Sequence, residues 1–207
     1  MPTLLKIDVS PRGDASISRT LSQQFADQWQ QSHSGGTIVT RDLATANLPY
    51  VDLPWIAGAY TPPDQHTPES KQALKVSNEL TAELLAADEI VISTPMYNFA
   101  VPAVLKAWID HIVRAGVTFS VGPDGYKGLV TGRKATLIVA SGGVYSPGAP
   151  AESYNAETPY LRQILGFIGI TDLTIVHAGG TAGVAQGKTS KEDFLATFTP
   201  EVLAAAR

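Results

Sequence analysis

Glu89-Ile90-Val91-Ile92-Ser93-Thr94-Pro95-Met96-Tyr97-Asn98-Phe99-Ala100-Val101-Pro102, continuing into Ala103-Val104-Leu105-Lys106-Ala107-Trp108-Ile109-Asp110, decides the reading of this chain. An apolar strand runs into a loop bracketed by two prolines, and the loop opens an amphipathic helix. Strand, short loop, helix is the unit from which parallel sheets are built. Met96 to Phe99 put one thioether, two aromatic rings and one amide at the strand's carboxyl end. A rigid loop of that chemistry suits a flat ring with a polar edge better than a metal or a phosphate.

The same unit repeats on either side. Thr3 to Val9 reads as a first strand, followed by the loop Ser10 to Ser16 and a helix to about Gln31 capped by Ser16 or Ser18. Leu21, Phe25 and Trp29 lie one helical turn apart on its inner face. Thr37 to Asp42 reads as a second strand. Leu43 to Pro68, rich in prolines and aromatics, takes no assignment. Pro68 starts a helix through about Ala87. After the third strand, Ile90 to Ser93, come a helix over Ala103 to Arg114 and a fourth strand over Ala135 to Ala140. A helix over Pro159 to Ile168, a fifth strand over Leu173 to His177 and a helix over Lys191 to Ala206 complete the series.

Strands apolar along their whole length, alternating with helices, predict an α/β fold with a parallel sheet covered on both faces. Five units predict a doubly wound, three-layer α/β/α sheet of flavodoxin-like order 2-1-3-4-5. With no internal repeat and no linker, residues 1–207 read as one domain. Ligands bind such sheets outside the carboxyl ends of the strands. Three loops leave those ends: Ser10 to Ser18, Thr94 to Pro102 and Ser141 to Tyr145. The loops at the opposite end read as longer or blander.

Composition narrows the function. The net charge is −4 on 207 residues, with 16% charged and 44% apolar residues. There is no basic run to attract nucleic acid or an anionic membrane. The absence of cysteine removes thiol catalysis and thiolate-held metals. Histidines 33, 66, 111 and 177 show neither the i, i+4 spacing nor the His-Glu-x-x-His pattern of a zinc site, so no metal is expected. His111 reads as a solvent or interface residue, and Trp108 as helix packing. The start, Met1-Pro2-Thr3-Leu4-Leu5-Lys6-Ile7, lacks the pattern of a signal peptide. No apolar run reaches the roughly 20 residues that span a bilayer. A cytoplasmic protein is the expectation.

The first loop, Ser10-Pro11-Arg12-Gly13-Asp14-Ala15-Ser16-Ile17-Ser18-Arg19, sets three hydroxyls before a helix N-terminus, with two arginines nearby. Hydroxyls, backbone amides and the helix dipole together suit one phosphate group. The loop is neither a Walker loop nor a dinucleotide fingerprint. The third loop, Ser141-Gly142-Gly143-Val144-Tyr145, lets backbone come close to a ligand. One phosphate seat beside a seat for a planar ring describes flavin mononucleotide (FMN).

Three sets of residues carry a resemblance over nearly the whole chain. They are Ser10-Pro11-Arg12-Gly13 with Ser16-Ile17-Ser18-Arg19, then Pro95-Met96-Tyr97-Asn98-Phe99 with Pro102 and Leu105 to Asp110, then Arg114-Ala115-Gly116-Val117-Thr118-Phe119. The junction Leu165 to Ile170 adds to them. Together they resemble the bacterial FMN-dependent NADH:azoreductases, which also reduce quinones. The resemblance implies a homodimer with one tightly bound FMN per subunit, at the subunit interface. It implies phosphate contacts from Ser10, Ser16, Ile17 and Ser18. It implies ring contacts from Pro95, Met96, Tyr97, Asn98, Phe99, Ser141, Gly142 and Gly143.

The implied reaction is ping-pong: NADH or NADPH gives up hydride, then a quinone or an aromatic azo compound takes the same place and is reduced. No side chain is assigned a catalytic role, while Phe119 and Tyr145 read as walls for flat substrates. Two departures stand out. The family usually has Ser-Arg-Gly-Gly where this chain has Ser141-Gly142-Gly143, and commonly Gln where it has Ile17. A flavodoxin-type electron carrier and a flavin reductase are the alternatives.

Overall fold

Side-chain alternation along the strands sorts the interior into two layers. Leu5, Ile7, Ile90, Ile92, Leu137 and Val139 face one way, into a cluster with Leu80, Leu84, Leu105, Trp108, Leu161 and Leu165. Leu4, Val91, Ile138 and Val176 face the other way, against Leu21, Phe25, Trp29, Leu195 and Val202. Successive residues of a strand point to opposite faces, so a strand apolar at every position must be covered on both.

The computed structural model describes residues 1–207. Along the chain run β1 (Thr3–Asp8), α1 (Ile17–Ser32), β2 (Thr37–Asp42), α2 (Leu53–Ala59), α3 (Pro68–Ala86), β3 (Glu89–Pro95) and α4 (Ala103–Ile112). There follow β4 (Phe119–Gly122), β5 (Gly125–Gly128), β6 (Lys134–Ser141), α5 (Glu157–Ile168), β7 (Asp172–Gly179), α6 (Ala182–Ala185) and α7 (Lys191–Ala205). Five strands form one sheet in the order β2-β1-β3-β6-β7, every neighbour parallel. Counting only these strands, this is the flavodoxin-like order 2-1-3-4-5. Helices α1 and α7 cover one face and α3, α4 and α5 the other. No helix is long and apolar enough to cross a membrane.

Helix starts follow their caps. The Ser16 hydroxyl accepts from the Arg19 amide, Asp52 from Trp55, Thr67 from Ser70 and Ser190 from Asp193. Gly169, left-handed at φ 109°, ends α5.

Several expectations shift. Within the unassigned stretch, α2 forms where Asp52 caps and Pro54 stands in the first turn. An antiparallel hairpin, β4–β5, turns at Pro123-Asp124 between α4 and β6. His111 is buried at 1% exposure, its Nε2 2.8 Å from the Pro49 carbonyl, so it faces neither solvent nor a partner. The long connection after β2 leaves the carboxyl end of its strand, not the opposite end, because β2 runs parallel to β1.

Candidate functional site

The carboxyl ends of β1, β3, β6 and β7 meet around one cavity of about 130 Å³. It is lined by Ser10, Arg12, Ser16, Ile17, Ser18, Pro95, Met96, Tyr97, Ala140, Gly142 and Thr181. Ser16 caps the 16-residue helix α1, so its side chain stands where the first turn leaves amides without helical partners. Its hydroxyl lies 3.3 Å from the Arg19 amide and 3.3 Å from the Ser18 hydroxyl. Ser10, Ser16 and Ser18 are each at most 2% exposed. This end is a set of hydrogen-bond donors at the positive end of a helix, the chemistry that holds a phosphate.

The other end is strained and aromatic. Tyr97 and Ala100 exchange two backbone hydrogen bonds of 3.0 Å each. Between them Asn98 and Phe99 both have positive φ, 49° and 69°. Two consecutive positive φ values in a two-residue loop are the signature of a type I′ turn. Asn tolerates that region; Phe does not, and its presence there marks a constrained position. The turn thrusts both rings outward, leaving Tyr97 and Phe99 45% and 44% exposed.

Phe99 stacks on Tyr154 at 5.2 Å and meets Tyr145 edge-on at 5.6 Å, making an aromatic shelf. Below the shelf the Phe99 carbonyl accepts from the Ala156 amide, which ties the turn to the start of α5. The next residue, Glu157, is fully buried, and burial pushes its carboxyl from the ordinary 4.5 up to about 8. Its Oε1 lies 3.0 Å from the Thr94 hydroxyl, and its Oε2 has no partner. At neutral pH this group is therefore a neutral acid set beneath the end of β3.

Of the residues singled out in the sequence, Ser10, Ser16, Ile17, Ser18, Pro95, Met96, Tyr97 and Gly142 line the cavity. Asn98 and Phe99 follow Tyr97 in the turn but do not line it. Ser141 and Gly143 do not line it. The Ser141 hydroxyl is spent on the Gly143 carbonyl at 2.9 Å, and the Ser141 carbonyl accepts from Gly180 and Thr181. A side chain on Gly143 would meet the Tyr145 hydroxyl at 2.7 Å, whereas Gly142 opens on free space. Ser141 and Gly143 thus shape the loop, and Gly142 presents it.

Tyr145 meets Phe99 in the shelf, whereas Phe119 packs on Tyr126 and Phe167 in a separate cluster. The two arginines of the first loop part company. Arg12 lines the cavity; Arg19 turns into a second one, with Lys6 and Asp8.

Sequence reasoning missed Thr181, Tyr154 and Glu157. Thr181 follows Gly179-Gly180 at the end of β7, the same small-residue signature that drew notice after β6. Nothing local marks the other two. A larger cavity of about 710 Å³ shares only Tyr145 with the shelf, and Glu152 there offsets Arg162 and His177.

Comparison with known proteins follows the same lines. A family model described as flavodoxin-like fold matches residues 2–199. The chain is 52% identical over 207 residues, 100% of each sequence, to FMN-dependent NADH:quinone oxidoreductase 2 of Jannaschia sp. (strain CCS1). It is 50% identical over 197 residues to FMN-dependent NADH:quinone oxidoreductase 2 of Trichormus variabilis, covering 95% of this chain and 94% of that one. Among solved structures, an azoreductase from Bacillus anthracis superposes with a TM-score of 0.88 at 30% identity, over 100% of this chain and 99% of that one. An FMN-dependent NADH-azoreductase from B. anthracis in complex with FMN superposes at 0.87 and 27% identity, covering 100% and 98%.

Proposed function

This chain belongs to the flavodoxin-like family of FMN-dependent NADH:quinone oxidoreductases, and on that premise we propose that it takes hydride from NADH or NADPH and reduces quinones and aromatic azo compounds by two electrons. One observation carries the reading: the buried serine hydroxyls of a helix start and Pro95, Met96 and Tyr97 of the β3 loop line one cavity. FMN has a single phosphate and a flat ring, and the donor set fits both. When bound, it supplies two-electron hydride chemistry that no side chain of the cleft offers.

The residues bind, orient and exclude water. Ser10, Ser16 and Ser18 with the first amides of α1 hold the phosphate, and Arg12 balances its charge. Pro95, Met96 and Tyr97 bear on the ring end, and Gly142 lets backbone approach it. The amide of Asn98 and the backbone amides of the two ring loops answer the polar edge. Phe99, Tyr145 and Tyr154 give flat molecules a surface to lie on. Donor and acceptor use this surface in turn, so the kinetics are ping-pong.

At about 130 Å³ the cavity of one chain falls short of the roughly 300–1,000 Å³ of ordinary ligand pockets. That shortfall supports a homodimer in which a second copy completes the site. An apolar groove with Trp55, Ile56, Tyr60, Val113 and Tyr160 supports the same assembly.

The test is direct. Purified protein is expected to be yellow and to release FMN on denaturation. Rapid mixing with NADH bleaches the flavin, and initial rates with menadione or an azo dye give parallel double-reciprocal lines. Protein that binds FMN but is reduced by neither NADH nor NADPH is an electron carrier, and that result overturns the proposal.

A further inference from the structure

Behind the serine cavity lies a second cavity of about 340 Å³ with no hydrophobic residue in its lining. Lys6, Asp8 and Arg19 meet there, next to Asp42. The Arg19 guanidinium donates to the two oxygens of Asp42 at 2.8 and 2.6 Å. Its Nε donates to the Ser10 carbonyl at 2.6 Å, and Asp8 is 3.8 Å from its Nη1. Asp8 is paired with Lys6 and accepts from the Ser22 and Ser93 hydroxyls at 2.9 and 2.7 Å. Two cations and two carboxylates close on one another, and the set sums to zero charge.

An arginine beside a phosphate loop ordinarily reads as the phosphate's partner. Here the guanidinium is committed to Asp42 and to a backbone carbonyl, and its side chain does not line the serine cavity. Yet both ends of the residue act on that cavity. Its amide fixes the Ser16 hydroxyl, and its side chain fixes the Ser10 carbonyl. A phosphate seat needs amides and hydroxyls turned inward and carbonyls held away. Arg19 secures one element of each kind, and the bidentate pair with Asp42 gives it a fixed base.

We propose that Arg19 is a positioning residue for phosphate recognition: anchored on Asp42, it sets the Ser10 loop from behind and takes no part in balancing the phosphate's charge. This rests on the assignment of the cleft to FMN.

The experiment titrates apo protein with FMN and with riboflavin, which lacks the phosphate, by quenching of flavin fluorescence at several salt concentrations. Wild type binds FMN more tightly than riboflavin. In Arg19→Gln, FMN affinity falls by about tenfold, the scale of one hydrogen bond to a charged group. Riboflavin affinity and the salt dependence of FMN binding stay unchanged. An equal loss for both flavins would mean a merely structural role and overturns the proposal. A flattened salt dependence would mean direct charge pairing and overturns it too. Should Arg19→Gln not fold, Asp42→Asn decides: it keeps the arginine, loosens its base and lowers the FMN-to-riboflavin ratio, and an unchanged ratio overturns the proposal. Wild type with no preference for FMN sinks the assignment of the cleft itself, a result distinct from all of these.

Discussion

Ser16 and Ser18 stand on the first turn of a long helix backed by paired charges, whereas Tyr97 and Phe99 stand on a two-residue turn with positive φ at its centre. The serine end is buried and held by hydrogen bonds to fixed partners. The ring end is exposed, held by three backbone bonds and by contacts among aromatic rings. A phosphate is the same in every molecule of a cofactor, so its seat gains from rigidity. Flat acceptors differ in shape, and a projecting shelf serves them better than a closed slot.

The largest expected effect comes from acid and base, because the two ends answer pH with opposite signs. Glu157 lies under the ring end with its carboxyl raised from 4.5 to about 8. Its contribution to stability is full below 4.5 and is lost as pH rises through about 8. Asp42 lies under the serine end with its carboxyl held below the usual 3.8, first by the Arg19 hydrogen bond. Its contribution is full above 3.8 and is lost only as pH falls through its lowered value. Glu157→Gln is therefore expected to raise the melting temperature at about pH 8, where burial of the carboxyl costs the parent a few kcal/mol at most, and to leave it unchanged below about pH 4. Thermal unfolding across pH measures it.

Next in size is the paired change Ser16→Ala with Ser18→Ala. Two hydrogen bonds to a charged group weaken FMN binding about a hundredfold. Losing the cap also costs about 1 kcal/mol of stability. Riboflavin titration separates the two, because only the first depends on the phosphate. Phe99→Ala acts at the other end. It is expected to raise the KM for menadione about tenfold while FMN affinity hardly moves, the scale of a lost aromatic stack. A Phe99→Ala variant that sheds FMN would erase the division of labour between the two ends. The smallest effect is Asn98→Gly: Asn already tolerates the left-handed region, so the melting temperature moves by no more than about 1–2 °C, read by calorimetry.

Legibility in the sequence divides along the same line. The strands were readable because burial on both faces leaves uninterrupted apolar runs, as in Ile90-Val91-Ile92. The helix start at Ser16 was readable because a cap is a local matter. The hairpin of β4 and β5 went unread although Pro123-Asp124-Gly125 is a turn signal, since Val121 and Tyr126 are exposed and no apolar alternation frames it. The shelf was half readable. Tyr97 and Phe99 announce themselves between prolines, but Tyr154 reaches Phe99 only through the tertiary fold. Glu157 looks in sequence like any acidic residue in a helix's first turn, and its burial is a property of the folded molecule. Arg19 was noticed for its charge, while its direction depended on Asp42, a strand away.

The Ser93 hydroxyl that donates to Asp8 lies 85 residues further along the chain. The charge set behind the serine cavity thus draws on β1, α1, β2 and β3, and closing so long a loop comes late in folding and slowly. The first strand and helix alone carry all three serines yet cannot hold them in place. On the proposed phosphate reading, a nascent chain gains its grip only when the third strand has docked, and cofactor capture rewards a finished sheet rather than templating one.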